Sequence, residues 1–190
     1  MLDFRAQLRH IPERVLVAGV TGVGKTMLCR RLADAAGFAY VELDSLHHGP
    51  EWSVLPDFER DVEAVISGQR WVSEWQYHTV KDRMLARADT LVWMDYPRRV
   101  ALPRLLRRTV RRRFSAETLW NGNRERPLHS FFTNPDENII RWEMKTHALL
   151  RGVVPGLERE APPLQLVRIG GQRQLEHWLA GPLAAALAPR

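Results

Sequence analysis

The sequence predicts a three-layer α/β domain: a parallel sheet of about five strands with helices on both faces. Three observations carry this. Short apolar runs alternate along the chain with segments of helical period, the pattern of strands joined by crossover helices. The first such run ends at a glycine-rich turn that opens a helix. The length of 190 residues, with 45% hydrophobic and 26% charged residues, suits one domain, 1–190, with a real core.

Residues 14–20, RVLVAGV, read as a buried strand ending in glycine. A helix should follow over 24–36, with Met27, Leu28, Leu32 and Ala35 inward. FAYVEL at 38–43 is a second strand, and Gly49-Pro50-Glu51-Trp52 is a loop. Phe58, Val62, Val65 and Ile66 have helical spacing over 57–67, and Gly68 ends that helix. WVSE at 71–74 is a short strand, and Val80, Met84, Leu85 and Ala88 repeat the helical pattern. TLVWMD at 90–95 is a strand, after which Pro97 opens a basic helix. Pro103 inside it predicts a kink or a later start. Residues 114–127 are polar and irregular. Asn134-Pro135 with Glu137 combines a cap, a first-turn proline and a capping-box glutamate, and so predicts a helix start. LQLVRI at 164–169 is the last strand. Gly170-Gly171 turns it into a final helix carrying Leu175, Trp178, Leu179 and Leu183, which Gly181-Pro182 should interrupt.

Composition excludes several classes. No apolar run approaches the roughly 20 residues of a membrane span. The opening stretch MLDFRAQLRHIPER is charged throughout, which predicts no signal peptide. The single cysteine, Cys29, excludes an internal disulfide and a zinc site of several thiolates, and is expected as a small core residue. The tryptophans at 71, 93, 142 and 178 are expected in the core. A cytoplasmic protein, monomer or homodimer, fits this picture. The net charge is +6, from 28 basic and 22 acidic residues, and only Lys25, Lys81 and Lys145 are lysines. No acid lies between Asp95 and Glu117, where Arg98, Arg99, Arg104, Arg107, Arg108, Arg111, Arg112 and Arg113 crowd together. Such a field calls for an anion: small-molecule phosphates or a nucleic-acid backbone.

One motif dominates. Gly19-Val20-Thr21-Gly22-Val23-Gly24-Lys25-Thr26 fits G-x-x-x-x-G-K-[ST] in full, after a strand and before a helix. Glycines let backbone N–H groups curl around an anion, and the helix N-terminus adds its positive dipole end. This is a phosphate-binding loop (P-loop), and the fold expected is that of the P-loop NTPases. Gly19, Thr21, Gly22, Val23, Gly24, Lys25, Thr26 and Met27 are the expected nucleotide contacts. Lys25 should reach the β- and γ-phosphates, and Thr26 should sit on Mg²⁺. None of the three lysines lies in N-K-x-D, which argues against a Ras-type GTPase. Small P-loop chains of this length are mostly kinases of small molecules.

The sequence resembles the adenylate kinase-like P-loop kinases, specifically the topology-modulation (FlaR-related) group. The matching pieces are GVTGVGKT (19–26), ELDSLHHGPEW (42–52), RWVSEWQY (70–77), ADTLVWMDYPRRV (88–100), PRLLRRTVRRR (103–113) and WNGNRE (120–125). The resemblance implies an ATP-dependent kinase with a nucleotide- or nucleoside-like acceptor. It also implies an acceptor-binding segment at 44–68 and a lid at 112–126.

In such folds Asp44 and Glu42 lie beside the P-loop at the end of strand 2. Asp44 is the candidate to orient the acceptor and take its proton; a solvated loop acid or a helix cap is the plain alternative. His47 and His48 read either as acceptor contacts or as a surface-loop pair, and Trp52 either as a pocket wall or as packing. Glu74 stands where related kinases carry the acid of a D-G-x motif; here Glu74-Trp75-Gln76-Tyr77 lacks the glycine. Glu74 ranks slightly above Asp95 as the Mg²⁺ carboxylate, and Asp95 reads also as a helix cap. Arg104, Arg107 or Arg108, and Arg111 share one helix face. With Arg112 they are candidates to clamp the transferring phosphoryl group; a solvated basic face is the alternative. Asn121, Asn123, Arg124 and Glu125 are candidate lid residues, with a structured turn as the plain reading. A competing function is an ATP-binding regulator associated with DNA, which requires an outward basic stripe. No DNA-binding module is visible in the sequence, so nucleic acid is not the expected partner.

Overall fold

Four strands form the sheet of the computed structural model: β1 (Arg14–Gly19), β2 (Trp71–Glu74), β3 (Thr90–Met94) and β4 (Gln165–Ile169), all parallel, in the order β2-β1-β3-β4. The structure describes residues 1–115, 118–124, 139–160 and 163–188. Every residue of β3 is buried, and successive side chains of a strand point to opposite faces. Both faces of the sheet are therefore covered, as a parallel sheet requires.

The covering helices are α1 (Lys25–Ala36), α2 (Leu43–His47), α3 (Phe58–Ile66), α4 (His78–Arg87), α5 (Arg98–Phe114), α6 (Ile139–Glu160) and α7 (Gln172–Trp178), with a last turn, α8, at Ala184–Leu187. Helix α1 packs on β1 and β2, α4 on β1, and α6 and α7 on β4. Trp71, Trp93 and Trp178 are buried as expected; the Trp142 side chain lies outside the described residues. No described helix is long and apolar enough to cross a membrane.

Four expectations change. The sheet has four strands rather than about five, because FAYVEL does not stay in it. Ala39 makes a single parallel bridge to Trp71. Phe38 and Leu43 are buried but the four residues between them are not, so no inward face holds the run to the sheet. The chain instead enters α2 at Leu43. On α1 the inner face is Leu28, Cys29 and Leu32; Met27 is 62% exposed and Ala35 is also exposed. Helix α5 runs through Pro103, which sits on its exposed side. Its missing N–H loses the hydrogen bond one turn back, and its ring crowds the carbonyl there. The predicted break at Gly181-Pro182 is a π-helical turn, Leu179–Leu183, which re-registers the chain where proline cannot donate. The helix start at Asn134-Pro135 and Glu137 lies outside the described residues.

The topology places the site. From β1 the chain goes to β2 on one side and then to β3 on the other. The carboxyl end of β1 is thus the point where strand order reverses, the place where open α/β sheets bind ligands.

Candidate active site

The turn after β1 wraps the start of α1. Gly22 and Gly24 take φ of 90° and 104°, where side chains are strained. A Cβ on Gly22 would come within 2.9 Å of Leu105 Cβ and 3.0 Å of the Ala101 carbonyl oxygen, so the turn is seated on the backbone of α5. Gly19 lies beside Met94 in register; a Cβ there would come within 3.2 Å of Met94 Cβ and 2.8 Å of Val23 Cγ2. At Gly24 a Cβ would meet nothing within 4 Å. The space beside Gly24 is thus open where α1 begins, and the first N–H groups of a helix are the ones available to an anion.

Lys25 Nζ donates to the Val20 carbonyl oxygen at 3.4 Å. No carboxylate among the described residues pairs with its charge. The Thr26 hydroxyl donates to Glu74 Oε1 at 2.6 Å. The β1–β2 register puts Glu74 beside Val17, and the Trp75 N–H bonds to the Val17 carbonyl oxygen at 2.8 Å. Burial raises the Glu74 carboxyl above the ordinary range, against the opposing pull of Lys25 and of the Thr26 bond.

Opposite the turn, the Gln76 amide donates to Asp44 Oδ1 at 2.9 Å, and the Tyr77 hydroxyl donates to the same oxygen at 2.6 Å. Oδ2 takes part in neither bond. Tyr77 also lies 3.3 Å from His48 Nε2 and stacks on His47 with ring centroids 4.2 Å apart. Burial lowers both histidines below their ordinary value. Burial first, and then the neighbouring Asp44 carboxyl that accepts its hydrogen bond, drives the Tyr77 phenol far up.

Of these groups, Lys25, Thr26, Glu74, Gln76 and Asp44 line one cleft of ≈ 590 Å³, Tyr77 lines a neighbouring cavity, and His47 and His48 line neither. Thr21, Gly22, Gly24, Lys25, Thr26 and Met27 form one wall, Glu42, Asp44, Glu74 and Gln76 another, and Arg104, Arg108, Arg111 and Arg112 a third. Thr118, Leu119 and Trp120 close one side, with Arg112 5.6 Å from the centre of the Trp120 ring. Arg30 also lines the cleft and pairs with Glu42 at 3.1 Å. Val23 is buried beneath the turn, and Gly19 opens on a neighbouring cavity. Arg107 is exposed and does not line the cleft.

Asp95, the second carboxylate considered for Mg²⁺, sits elsewhere. Its Oδ1 accepts from Arg151 Nε and its Oδ2 from Arg168 Nε, each at 2.9 Å, so it ties β3 to α6 and β4. Trp52, Asn121 and Asn123 do not line the cleft; they fasten residues 118–124 onto the 48–52 loop. Glu125 lies outside the described residues. Sequence reasoning assigned no role to Gln76, Tyr77, Arg30 or Trp120. The signal for the first two was the missing glycine after Glu74, which placed side chains where backbone was expected.

No known family model matches the chain. Part of it is similar to the ATPase subunit HslU of an ATP-dependent protease, with 32% identity over 88 residues in Geobacillus sp. (strain WCH70) and 31% in Geobacillus kaustophilus (strain HTA426). Those matches cover 44% of this chain and 18% of each relative. Among solved structures, a gluconokinase from Sinorhizobium meliloti 1021 is similar with a TM-score of 0.53 and 19% identity, covering 94% of this chain and 95% of that one. A shikimate kinase from Acinetobacter baumannii is similar with a TM-score of 0.51 and 16% identity, covering 93% and 92%. The fold is thus that of P-loop kinases.

Proposed function

We propose that this chain is an ATP-dependent phosphotransferase that moves the γ-phosphoryl group of ATP to a small-molecule acceptor. The observation that carries the reading is convergence in one cleft. A P-loop lysine with no direct ion pair among the described residues, a threonine hydroxyl on a buried glutamate, a second carboxylate held by two donors and four arginines of α5 line the same space. Two chains of the same fold, a gluconokinase and a shikimate kinase, are kinases of small molecules. The finer resemblance to the topology-modulation group, with a nucleotide- or nucleoside-like acceptor, is consistent with it.

The residues fit a Mg²⁺–nucleotide. Space at Gly24 is open, Lys25 makes no direct ion pair among the described residues although Glu74 lies within its field, and Thr26 with Glu74 offers an oxygen pair. When bound, Mg²⁺ supplies positive charge to the phosphate oxygens. Thr26 and Glu74 are the residues to hold it, in preference to Asp95, whose oxygens are taken by two arginines. Lys25 neutralises phosphate charge, and Arg104, Arg108 and Arg112 do so from the opposite wall. Asp44 has both its bonds on Oδ1, which leaves Oδ2 to orient the acceptor hydroxyl and take its proton. Residues 118–120 cover the cleft on one side and limit water, which favours transfer over hydrolysis.

The test is ADP formation with Mg²⁺ across a panel of nucleoside monophosphates, nucleosides and hydroxylated metabolites. ADP should appear only with an acceptor and fall at least about a thousandfold in Lys25→Ala. Tight ATP binding without acceptor-dependent turnover would overturn the kinase reading in favour of a regulator. Salt-dependent duplex binding would then be the next measurement.

A further inference from the structure

A second cavity, of ≈ 430 Å³, adjoins the main cleft. The two spaces share Thr21, Lys25 and Gln76 as lining residues, so they meet where the phosphoryl group would be transferred. The volume lies in the range of small-ligand sites.

The lining is chemically one-sided. Trp75, Leu149 and Leu150 give it apolar walls. Lys25 and Lys81 give it two ammonium groups, and no acidic residue among those described lines it. The Lys81 ammonium lies 4.0 Å from the centre of the Trp75 ring. No carboxylate among the described residues forms an ion pair with it. Burial holds Lys81 below the ordinary ammonium range. The neighbouring Asp82 opposes that shift only in part, and a partly desolvated cation with no ion-paired carboxylate favours an anion that completes it. Tyr77, another wall, has φ of 62° without being glycine. Strain of this kind persists where the surroundings hold a residue for a purpose.

We propose that this cavity seats the acceptor, and that the acceptor is a hydroxylated small molecule with an apolar body and an anionic group bound by Lys81. The proposal rests on the kinase reading for the word acceptor, but the anion site itself does not need it. The hydroxyl would lie at the junction by Gln76, which also holds Asp44. The apolar body would lie along Trp75 and Leu149, and the carboxylate or phosphate against Lys81. The geometry thus selects acids over their neutral counterparts.

The test uses the whole chain with ADP bound, titrated calorimetrically with matched probes. These are 4-hydroxybenzoate against 4-hydroxybenzyl alcohol, and glucose 6-phosphate against glucose; the pairs separate carboxylate from phosphate. At least one acid should bind about ten- to a hundredfold more tightly than its neutral partner. Lys81→Met keeps the apolar stem and should erase that difference. Lys145→Met removes a charge from exposed surface of α6 and should not. ADP affinity and the melting temperature of Lys81→Met report whether the fold and donor site survive. Equal binding of acid and neutral partner, an unchanged preference in Lys81→Met, or no acid binding at millimolar concentration overturns the proposal. If acids bind in a Lys81-dependent way and no acceptor in any panel forms ADP, the transfer reading fails while the anion site stands.

Discussion

The two sides of the cleft solve the same geometric problem by different means. Around the donor turn the left-handed backbone falls on glycines, Gly22 and Gly24. On the other side, where the acceptor is proposed to bind, it falls on Glu51, Trp52, Tyr77 and Asn121, with Gly122 the one glycine among them. Glycine takes such angles at no steric cost, so the donor turn is set by backbone alone. A side chain at positive φ is strained by about 1–3 kcal/mol, and neighbours must hold it there. The acceptor side has those neighbours. Tyr77 is held by Asp44 and His47, and Trp52 by Asn123 and the carbonyl oxygen of Arg124. A backbone cradle binds any phosphate chain, whereas a strained side chain that lines a cavity, as Tyr77 does, can be specific.

The largest effect should come from breaking the donor rule. Gly22→Ala meets both a forbidden φ and the backbone of α5, at 2.9–3.0 Å from Leu105 and Ala101. Strain and overpacking together should cost about 3 kcal/mol or more, a fall of roughly 10 °C in melting temperature, and nucleotide binding should be lost. Gly24→Ala has open space at its Cβ, so its cost should be the backbone strain alone. Calorimetric melting of the two variants separates steric from conformational cost.

Next comes the network on the acceptor side. Asn123 is buried; its Nδ2 donates to the carbonyl oxygens of Gly49 at 2.8 Å and Trp120 at 2.9 Å, and its Oδ1 accepts from the Trp52 N–H at 3.0 Å. Asn123→Ala strands these groups at a cost of about 2 kcal/mol. Hydrogen exchange at the Trp52 amide should accelerate, and the acceptor KM should rise while the KM for ATP holds. Equal changes in both constants would show that the two sides are not separable.

Glu74 joins the two sides and should give a smaller effect of unexpected sign. Its folded carboxyl is raised by burial, so its stabilising contribution is complete below the ordinary glutamate value and lost as pH rises through the folded value. The raised value means that ionising Glu74 costs more in the folded chain than in the unfolded one. Glu74→Gln, which cannot ionise, should therefore gain in melting temperature relative to the parent as pH rises from about 4 toward neutral. The same variant should lose Mg²⁺-dependent turnover. A melting curve that falls at pH 7 would mean that the Lys25 and Thr26 contacts outweigh desolvation.

This division also explains what the sequence could reveal. The donor turn was legible because a local string of eight residues encodes it, and β1, β3 and β4 were legible as apolar runs. FAYVEL misled because its aromatic and β-branched composition is that of a strand while its burial has no inward face. The acceptor side was the least legible. Tyr77 meets Asp44 across 33 positions and Asn123 meets Gly49 across 74, and no local pattern announces either pairing. Asp95 looked like a metal carboxylate because it follows an apolar strand. Only the fold shows that Arg151 and Arg168 reach it, from α6 and β4.

The smallest expected effect is the cleanest test of the contrast. Glu51 lies in the turn Pro50–Trp52 at φ 55°, ψ 31°, with its side chain in solvent. No hydrogen bond or ion pair of its side chain is found among the described contacts, so a substitution there changes backbone energetics and little else. Glycine relieves the left-handed strain but loses more entropy on folding, and where φ is positive the first term is the larger. Glu51→Gly should thus raise stability by about 0.5 kcal/mol, or roughly 1–2 °C in melting temperature for a chain of this size. Gly24→Ala, the reverse exchange on the donor side, should lower it. If the strain at Glu51 serves the wall, the more stable variant should also hold the adjoining Trp52 less firmly, and the acceptor KM should rise as the melting temperature does. If Glu51→Gly leaves that KM untouched, the left-handed turn at 50–52 is a feature of the chain path alone, and specificity on that side rests on Tyr77.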